Sequence, residues 1–212
     1  VNFGDASALQ GNSIVQPYTV IEKQGQKIGL IGVTTAFKTK YSSRPDTNTT
    51  FADETATVQH YINELKQQGI DKIIVQSHIG YQEDLAMVAQ LSGVDAVVGG
   101  DSHTLLASEN SKDYGLTAQG KYPTIIKDKD GKTVCVAQAW QYAYVVGELK
   151  VKFDEKGDVI ECGGRPHILL GDDFKRPNTQ SALTDKEREF ILKDIENSHI
   201  FTIVKPDVKA EY

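Results

Sequence analysis

Two short polar segments carry the residue types that could do chemistry in this sequence. The first is Ser77-His78-Ile79-Gly80-Tyr81, and the second is Gly99-Gly100-Asp101-Ser102-His103-Thr104. Because Asp101 and His103 are two residues apart, both side chains can face one cavity when the loop is extended. His78 can join them from the first segment. Imidazole and carboxylate ligands together suit zinc, manganese or iron, so we predict a metal site formed by His78, Asp101 and His103.

The surrounding pattern places both polar segments at the ends of strands in a parallel sheet. Apolar, β-branched runs at 72–76 and 94–98 are typical of inner strands. A helix over 53–69 precedes the first run, and a short helix over 82–91 lies between the two. Strands that alternate with helices predict βαβ crossovers. In such sheets ligands bind beyond the carboxyl ends of the strands, which is where both polar segments stand.

The later part of the chain predicts a different arrangement. Strands over 133–139, 144–153 and 159–170 follow one another without helices, and turn signals connect them. They therefore predict an antiparallel meander. Thr184 then opens a helix through a capping-box pattern with Glu187. We expect one layered α/β domain in which parallel strands are followed by the meander.

Composition excludes several classes of protein. The 212 residues are 39% hydrophobic and 25% charged, with a formal net charge of −6. An acidic chain without basic clusters is not expected to bind a nucleic acid polymer or an anionic membrane. No apolar run approaches the ~20 residues of a transmembrane helix. The chain starts at Val1 and its single methionine is Met87, so we expect that an upstream part has been removed.

Several other residues have open or simpler interpretations. Cys135 and Cys162 could pair or remain reduced, and the sequence does not choose. Trp140, Tyr142 and Tyr144 form an aromatic cluster for which core packing is favoured over stacking on a planar ligand. The remaining histidines are expected outside the site: His60, His167 and His199.

The two polar segments, with their spacing, resemble the second half of the metallophosphoesterase domain in the 5′-nucleotidase family. The likeness rests on 77–81, on 93–106, and on the strands at 136–140 and 147–153. It extends over about residues 11–170. The resemblance implies a layered α/β-β-α sandwich, of which this chain would supply the C-terminal half.

The resemblance also implies roles for the three site residues. By motif, His78 corresponds to a metal ligand, and 99–103 corresponds to the family's Gly-Gly-His-x-[His/Asn/Gln] element. Asp101 stands where many members have the metal-binding histidine. His103 matches the second variable position, as a ligand or as the neighbour of one. Members of the family hydrolyse nucleotide phosphoesters or pyrophosphates with two divalent metal ions, such as zinc or manganese, and they are exported. We therefore expect a periplasmic or otherwise extracytoplasmic location.

The family's domain order leads to further expectations. Residues 1–175 would form the C-terminal part of the catalytic domain, and residues 176–212 a linker and a helix leading toward an absent substrate-binding domain. The sequence has no Asn-His pair, which the first half of the family's site contains. Catalytic residues are therefore expected upstream, with the remaining parts of the same polypeptide as partners. We expect the isolated chain to be inactive.

The resemblance favours a metal-dependent phosphoric ester hydrolase acting on small nucleotide substrates. Within the family, 5′-nucleotidase or NAD pyrophosphatase activity is favoured, and a 2′,3′-cyclic nucleotide 2′-phosphodiesterase/3′-nucleotidase is the alternative. A lone strand-end histidine is more often a hydrogen-bonded structural residue than a ligand. A non-catalytic domain used for binding or assembly is therefore the alternative of another class.

Overall fold

The computed structural model describes residues 3–5, 16–205 and 207, and these form two principal sheets and a short two-stranded pair. In chain order the strands are β1 (Phe3–Asp5), β2 (Tyr18–Lys23), β3 (Gln26–Thr34), β4 (Thr49–Phe51), β5 (Lys72–His78), β6 (Ala96–Gly99), β7 (Thr124–Lys127), β8 (Thr133–Gln138), β9 (Val145–Phe153), β10 (Val159–Leu170) and β11 (Phe201–Ile203). The α-helices are α1 (Ala36–Lys38), α2 (Glu54–Gln67), α3 (Tyr81–Val88) and α4 (Asp185–Ser198). A π-helical turn (Thr39–Ser43) follows α1, and a 3-10 helix spans Glu109–Tyr114.

A six-stranded sheet holds the parallel core that the sequence predicts. Its strand order is β2-β3-β5-β6-β8-β7, and the four inner strands run parallel. β2 and β7 form the two edges as antiparallel strands, each joined to its neighbour by a short turn. α2 connects β3 to β5 by way of β4, and α3 connects β5 to β6. The predicted mixed α/β fold is confirmed.

One strand lies in a different sheet from the one predicted. The run at 133–139 was expected in the meander, but β8 pairs in parallel with β6, with Cys135 opposite Ala96. Its residues from Val134 to Gln138 are buried because β8 lies inside the first sheet. The crossover from β6 to β8 contains loop, a 3-10 helix and β7 in place of an α-helix. Without a helical pattern in that crossover, the sequence favoured antiparallel pairing.

α2 covers one face of this sheet through an apolar stripe. Val58, Ile62 and Leu65 recur at helical spacing, and all three are fully buried. A Cβ atom at Gly29 of β3 would lie 2.6 Å from Leu65 Cδ1, so the glycine lets the helix approach the strand closely. Asp53 caps the helix, as predicted, through its carboxylate. Fully burying each of these side chains stabilises the fold by about 1.5–3 kcal/mol.

The second sheet contains β11, β10 and β9 and packs on the other face of the first. β9 and β10 are antiparallel, as predicted, and β11 adds in parallel to β10. Side chains alternate between the two faces of β5: Ile73 belongs to the cluster under α2, whereas Ile74 packs against the cluster that contains Val159 of β10. A disulfide between Cys135 and Cys162 joins β8 to β10 and so links the two sheets.

The last helix packs on the second sheet. Thr184 and Glu187 form the predicted capping box at the start of α4. Hydrogen bonds from Thr184 and Arg176 lower the pKa of the Glu187 carboxyl to about 2. Ile200, just beyond the helix, is 2% exposed and packs in the cluster that contains Ile168 of β10. Within the described ranges, none of the helices combines the length and apolar character that a bilayer crossing requires.

Removal of the disulfide should destabilise the fold. In a Cys135→Ala/Cys162→Ala double variant we expect the free energy of unfolding to fall by about 2–4 kcal/mol, because the unfolded chain regains loop freedom. Urea unfolding measures this difference. Reduction with dithiothreitol should destabilise the wild type by a similar amount and leave the double variant unchanged. Equal stability of the wild type and the double variant would contradict the expectation.

Candidate metal centre

His78 and Asp101 meet at the carboxyl edge of the parallel sheet. His78 is the last residue of β5, and Asp101 follows the end of β6 by two residues. β5 and β6 pair in parallel, with Val75 opposite Val97, so both strands lead to the same edge. His78 Nε2 lies 3.6 Å from Asp101 Oδ1, which is longer than a hydrogen bond. The structure brings these two residues together.

Lys38 also contacts Asp101, although the sequence pattern did not identify Lys38 as a site residue. Its Nζ atom donates to both carboxylate oxygens of Asp101, at 2.7 Å and 2.8 Å. Lys38 ends α1, which begins shortly after β3, and the Thr35 backbone N–H donates to the His78 carbonyl oxygen at 3.1 Å. Since β3 is the parallel neighbour of β5, its carboxyl end brings Lys38 to the same edge. The one signal in the sequence was a lysine four residues beyond an apolar strand.

His103 lies on the Asp101 loop (Gly100–Thr104) but outside any ligand cluster. Across the part of the chain that the structure describes, no group of three or more histidine, cysteine or acidic side chains could hold a metal ion. His103 is exposed, and its ring contacts the Tyr142 ring at a centroid distance of 5.4 Å. Of the three predicted ligands, His78 and Asp101 therefore form a pair, and His103 lies next to that pair on the Asp101 loop.

The donor chemistry of the pair suits one side of a metal site. A neutral imidazole and a carboxylate are ligands for zinc and manganese. The Asp101 side chain is 16% exposed and that of His78 is 64% exposed, so a further ligand can approach the imidazole. Lys38 uses one acceptor position on each Asp101 oxygen, and each oxygen has a second lone pair. Two donors are fewer than a tetrahedral site needs, so the pair fits an ion only together with ligands from elsewhere.

The two glycines before Asp101 are required by the close approach of neighbouring side chains. A Cβ atom at Gly99 would lie 2.2 Å from Asp84 Oδ2, and one at Gly100 would lie 2.9 Å from His78 Nδ1. Both distances are below normal van der Waals contact. The paired glycines therefore let the loop pass over α3 and close against His78.

Gln138, the last residue of β8, holds both ends of the Asp101 loop. Its Nε2 atom donates to the Gly100 carbonyl oxygen at 2.7 Å. Its Oε1 atom accepts from the Thr104 backbone N–H and from Ser102 Oγ, the latter at 3.2 Å. Gln138 is 3% exposed, so water does not replace these bonds easily. We regard Gln138 as a positioning residue for the loop.

Asp84 is fully buried against Gly99, and its charge is unfavourable there. Within the described residues neither carboxylate oxygen has a hydrogen-bond partner, and the nearby Ser77 hydroxyl is likewise unpaired. Burial raises the pKa of the Asp84 carboxyl to about 7, while the Ser77 hydroxyl acts in the opposite direction. This carboxyl therefore titrates near neutral pH beneath the candidate site.

The other three histidines stand on α2, on β10 and directly after α4. His60 is exposed on α2, and His199 ends α4 in a left-handed conformation. His167 in β10 shares a 2.8 Å hydrogen bond with Thr202 Oγ1, a partner that the sequence did not reveal.

Nucleotidases are among the known proteins to which this chain is similar. No protein-family model matches the chain. The NAD 5′-nucleotidase of Haemophilus influenzae is 34% identical over 200 residues, which cover 92% of this chain and 33% of that protein. The 5′-nucleotidase of Homo sapiens is 37% identical over 162 residues, which cover 76% of this chain and 28% of that protein. The solved structure of the Haemophilus influenzae NAD nucleotidase matches with a TM-score of 0.89 at 32% identity, covering 99% of this chain and 42% of that one. The chain thus spans about a third of the length of the curated relatives it matches.

Replacement of Gln138 should loosen the Asp101 loop. In Gln138→Leu the Gly100 carbonyl and the Thr104 N–H lose their partner, so we expect the free energy of unfolding to fall by about 2–4 kcal/mol. Urea unfolding measures the loss. Gln67→Leu is the matched control, because it makes the same change at an exposed glutamine on α2, and its loss should be smaller. A Gln138→Leu variant as stable as the wild type would exclude the positioning role.

The buried Asp84 carboxyl should make stability fall as pH rises. Between its ordinary pKa of 3.8 and its raised pKa of about 7, the folded chain holds a proton that the unfolded chain has released. The contribution of Asp84 to the free energy of unfolding is therefore largest below pH 4, decreases toward pH 7, and is constant above it. Between these pH values, the free energy of unfolding of Asp84→Asn should decrease by about 2–4 kcal/mol less than that of the wild type.

Urea unfolding at pH 5 and pH 8 measures that slope. Ser77→Ala is the control, because it changes the neighbouring hydroxyl without removing an ionisable group and should retain the slope. Asp95, whose pKa burial also raises to about 7, supplies a remaining slope in both variants. An unchanged slope in Asp84→Asn would show that Asp84 does not titrate in this range.

Proposed function

The chain belongs to the 5′-nucleotidase family, and we propose that it forms part of a metal-dependent nucleotide phosphohydrolase. The observation that carries the proposal is the pairing of His78 with Asp101 at the carboxyl edge of the sheet, with 3.6 Å between the nearest side-chain atoms. Relatives named as nucleotidases support a phosphoester or pyrophosphate as the bond that is hydrolysed. The pair favours hydrolysis over a purely structural role, because an exposed imidazole beside a carboxylate adds nothing to the core.

His78 and Asp101 would hold a divalent metal ion, with His103 as a further ligand or as the neighbour of one. When bound, such an ion supplies a Lewis acid that polarises a phosphoryl oxygen. Lys38 fixes the orientation of the Asp101 carboxylate through two hydrogen bonds. Gln138 holds the loop that carries Asp101 and His103. Zinc and manganese both suit these donors, and the whole enzyme would use two ions, the second held by residues outside this chain.

We propose that residues 1–175 are the C-terminal part of a catalytic domain and that residues 176–212 lead toward a substrate-binding domain. The strands and loops around the site all precede residue 175. The following segment is anchored, because β11 pairs with β10 and Ile200 is buried. The remaining ligands and the catalytic residues would come from other parts of the same polypeptide.

Nucleoside 5′-monophosphates or NAD-type pyrophosphates are the proposed substrates. This rests on the names of the relatives, which are a 5′-nucleotidase and an NAD 5′-nucleotidase. An extracytoplasmic location, such as the periplasm, is proposed from the disulfide between Cys135 and Cys162. Disulfides persist in oxidising compartments and are rare in the cytosol.

Replacement of His78 in the full-length protein should remove metal and activity together. We expect His78→Ala to lower the bound divalent metal by about one equivalent and kcat/KM for AMP by roughly 100-fold or more, since a lost ligand costs at least as much as a lost ligand-orienting residue. Elemental analysis after dialysis and a phosphate-release assay measure the two effects. His60→Ala, which changes an exposed histidine on α2, should alter neither.

The outcome separates an enzyme from a scaffold. Unchanged metal content and turnover in His78→Ala would favour the non-catalytic binding or assembly domain. The isolated 212-residue chain provides a second comparison, because it supplies one donor pair and should show no turnover of AMP or NAD. Sustained turnover by that chain would contradict a site shared with other parts of the polypeptide.

A further inference from the structure

Lys38 stands at the candidate metal centre with hydrogen-bonding capacity beyond its contact with Asp101. An ammonium group carries three N–H donors. The two bonds to the Asp101 oxygens, at 2.7 Å and 2.8 Å, use at most two of them. The Lys38 side chain is 56% exposed, whereas that of Asp101 is 16% exposed. At least one N–H donor is therefore left for water, or for an oxygen of a ligand that displaces water.

Backbone contacts bring Lys38 to this edge of the sheet. The Thr35 N–H donates to the His78 carbonyl oxygen at 3.1 Å, and the Ala36 N–H donates to Glu54 Oε1 at 2.7 Å. The Thr35 hydroxyl caps α1 by accepting from the Lys38 backbone N–H. α1 is thereby held between the end of β5 and the first residue of α2. These contacts fix the backbone of Lys38 without its ion pair.

The stability of the fold does not account for the position of the Lys38 ammonium. An exposed ion pair contributes little, because water screens the charges and because holding a long side chain in one geometry costs conformational entropy. None of the three residues of α1 is buried, so this turn adds little to the core. Lys38 instead stands beyond the carboxyl ends of parallel strands, where ligands bind in sheets of this kind.

The charges at this edge favour an anionic ligand. Lys38 and Asp101 together are neutral, so a divalent ion held there would make the edge positive. A phosphate monoester carries about two negative charges at neutral pH. Hydrogen bonds from an ammonium to a phosphate oxygen are charge-assisted and stronger than bonds between neutral groups. A phosphate bound beside Asp101 would therefore find both a favourable charge and a donor.

We propose that Lys38 binds a phosphoryl oxygen of the substrate while it stays paired with Asp101. This inference rests on the proposed function and adds a residue of this chain that contacts the substrate. A phosphoryl oxygen accepts the remaining N–H, so the ammonium joins Asp101 to the phosphate. The contact depends on neither the base nor the sugar. Lys38 therefore binds inorganic phosphate, the product of hydrolysis, in the same way.

Inorganic phosphate tests this contact, because it has the phosphoryl oxygens and no other part of a nucleotide. In the full-length protein at saturating Mn²⁺, Lys38→Met should raise the inhibition constant of phosphate against AMP hydrolysis, and the KM for AMP, by about tenfold each. Saturating Mn²⁺ removes effects of Lys38 on metal affinity through Asp101. Lys38→Arg keeps the charge and the donors, so its increase should be smaller. Lys40→Met, the same change at an exposed lysine two residues further on, should alter neither constant.

The possible results separate this contact from a role in orienting Asp101 alone. Thermal unfolding verifies that every variant is folded. An unchanged inhibition constant in Lys38→Met at saturating Mn²⁺ would overturn the contact. If the wild type neither binds metal nor hydrolyses AMP, the proposed function fails, and equilibrium dialysis of inorganic phosphate then tests Lys38 separately. Weaker phosphate binding by Lys38→Met supports the contact in that case, and equal or undetectable binding overturns it.

Discussion

Parallel pairing of β3, β5 and β6 determines where the candidate functional residues lie. Thr34, at the end of β3, pairs with His78 at the end of β5, and β6 pairs with β5 in the same direction. Lys38, His78 and Asp101 are far apart in the chain, yet each follows or ends one of these strands. The register is stabilised by buried apolar side chains beneath α2 and α3, each contributing about 1.5–3 kcal/mol. The core therefore places the strand ends from which these three residues extend.

The Asp101 loop concentrates features that are unfavourable for stability. Gly99 and Gly100 leave no space for a side chain, Asp101 has a φ of +70°, and Asp84 is buried beneath the loop without a partner among the described residues. An unsatisfied buried polar group costs about 1–3 kcal/mol. Gln138 offsets part of this by bonding both ends of the loop. Local departures from favourable packing and hydrogen bonding are expected at functional sites, where the geometry serves a ligand.

Some of this arrangement could be predicted from residue patterns and some could not. His78 and Asp101 were identifiable because a buried strand has an apolar signature and polar residues follow it directly. Lys38 was not, because its contact spans 63 residues of sequence and depends on the turn after β3. β8 was placed in the wrong sheet, since an apolar run carries no information about the direction of its partner. The pairing of Cys135 with Cys162 could not be predicted for the same reason. The disulfide joins β8 in one sheet to β10 in the other, and the sheet to which β8 belongs was not evident from the sequence.

In the proposed metal site, Lys38 would offset the charge of a carboxylate at a position where the family resemblance implies a histidine. A neutral imidazole contributes no net charge to a metal site, whereas Asp101 contributes one negative charge. Lys38 donates to both Asp101 oxygens and adds one positive charge, so the Lys38–Asp101 pair together is neutral. Each carboxylate oxygen retains a lone pair for another partner. The exposed ammonium gains little from the ion pair itself, since solvent screens it. In the proposed site, the pair would present an oxygen donor in a fixed orientation without changing the net charge that an imidazole would give at this position.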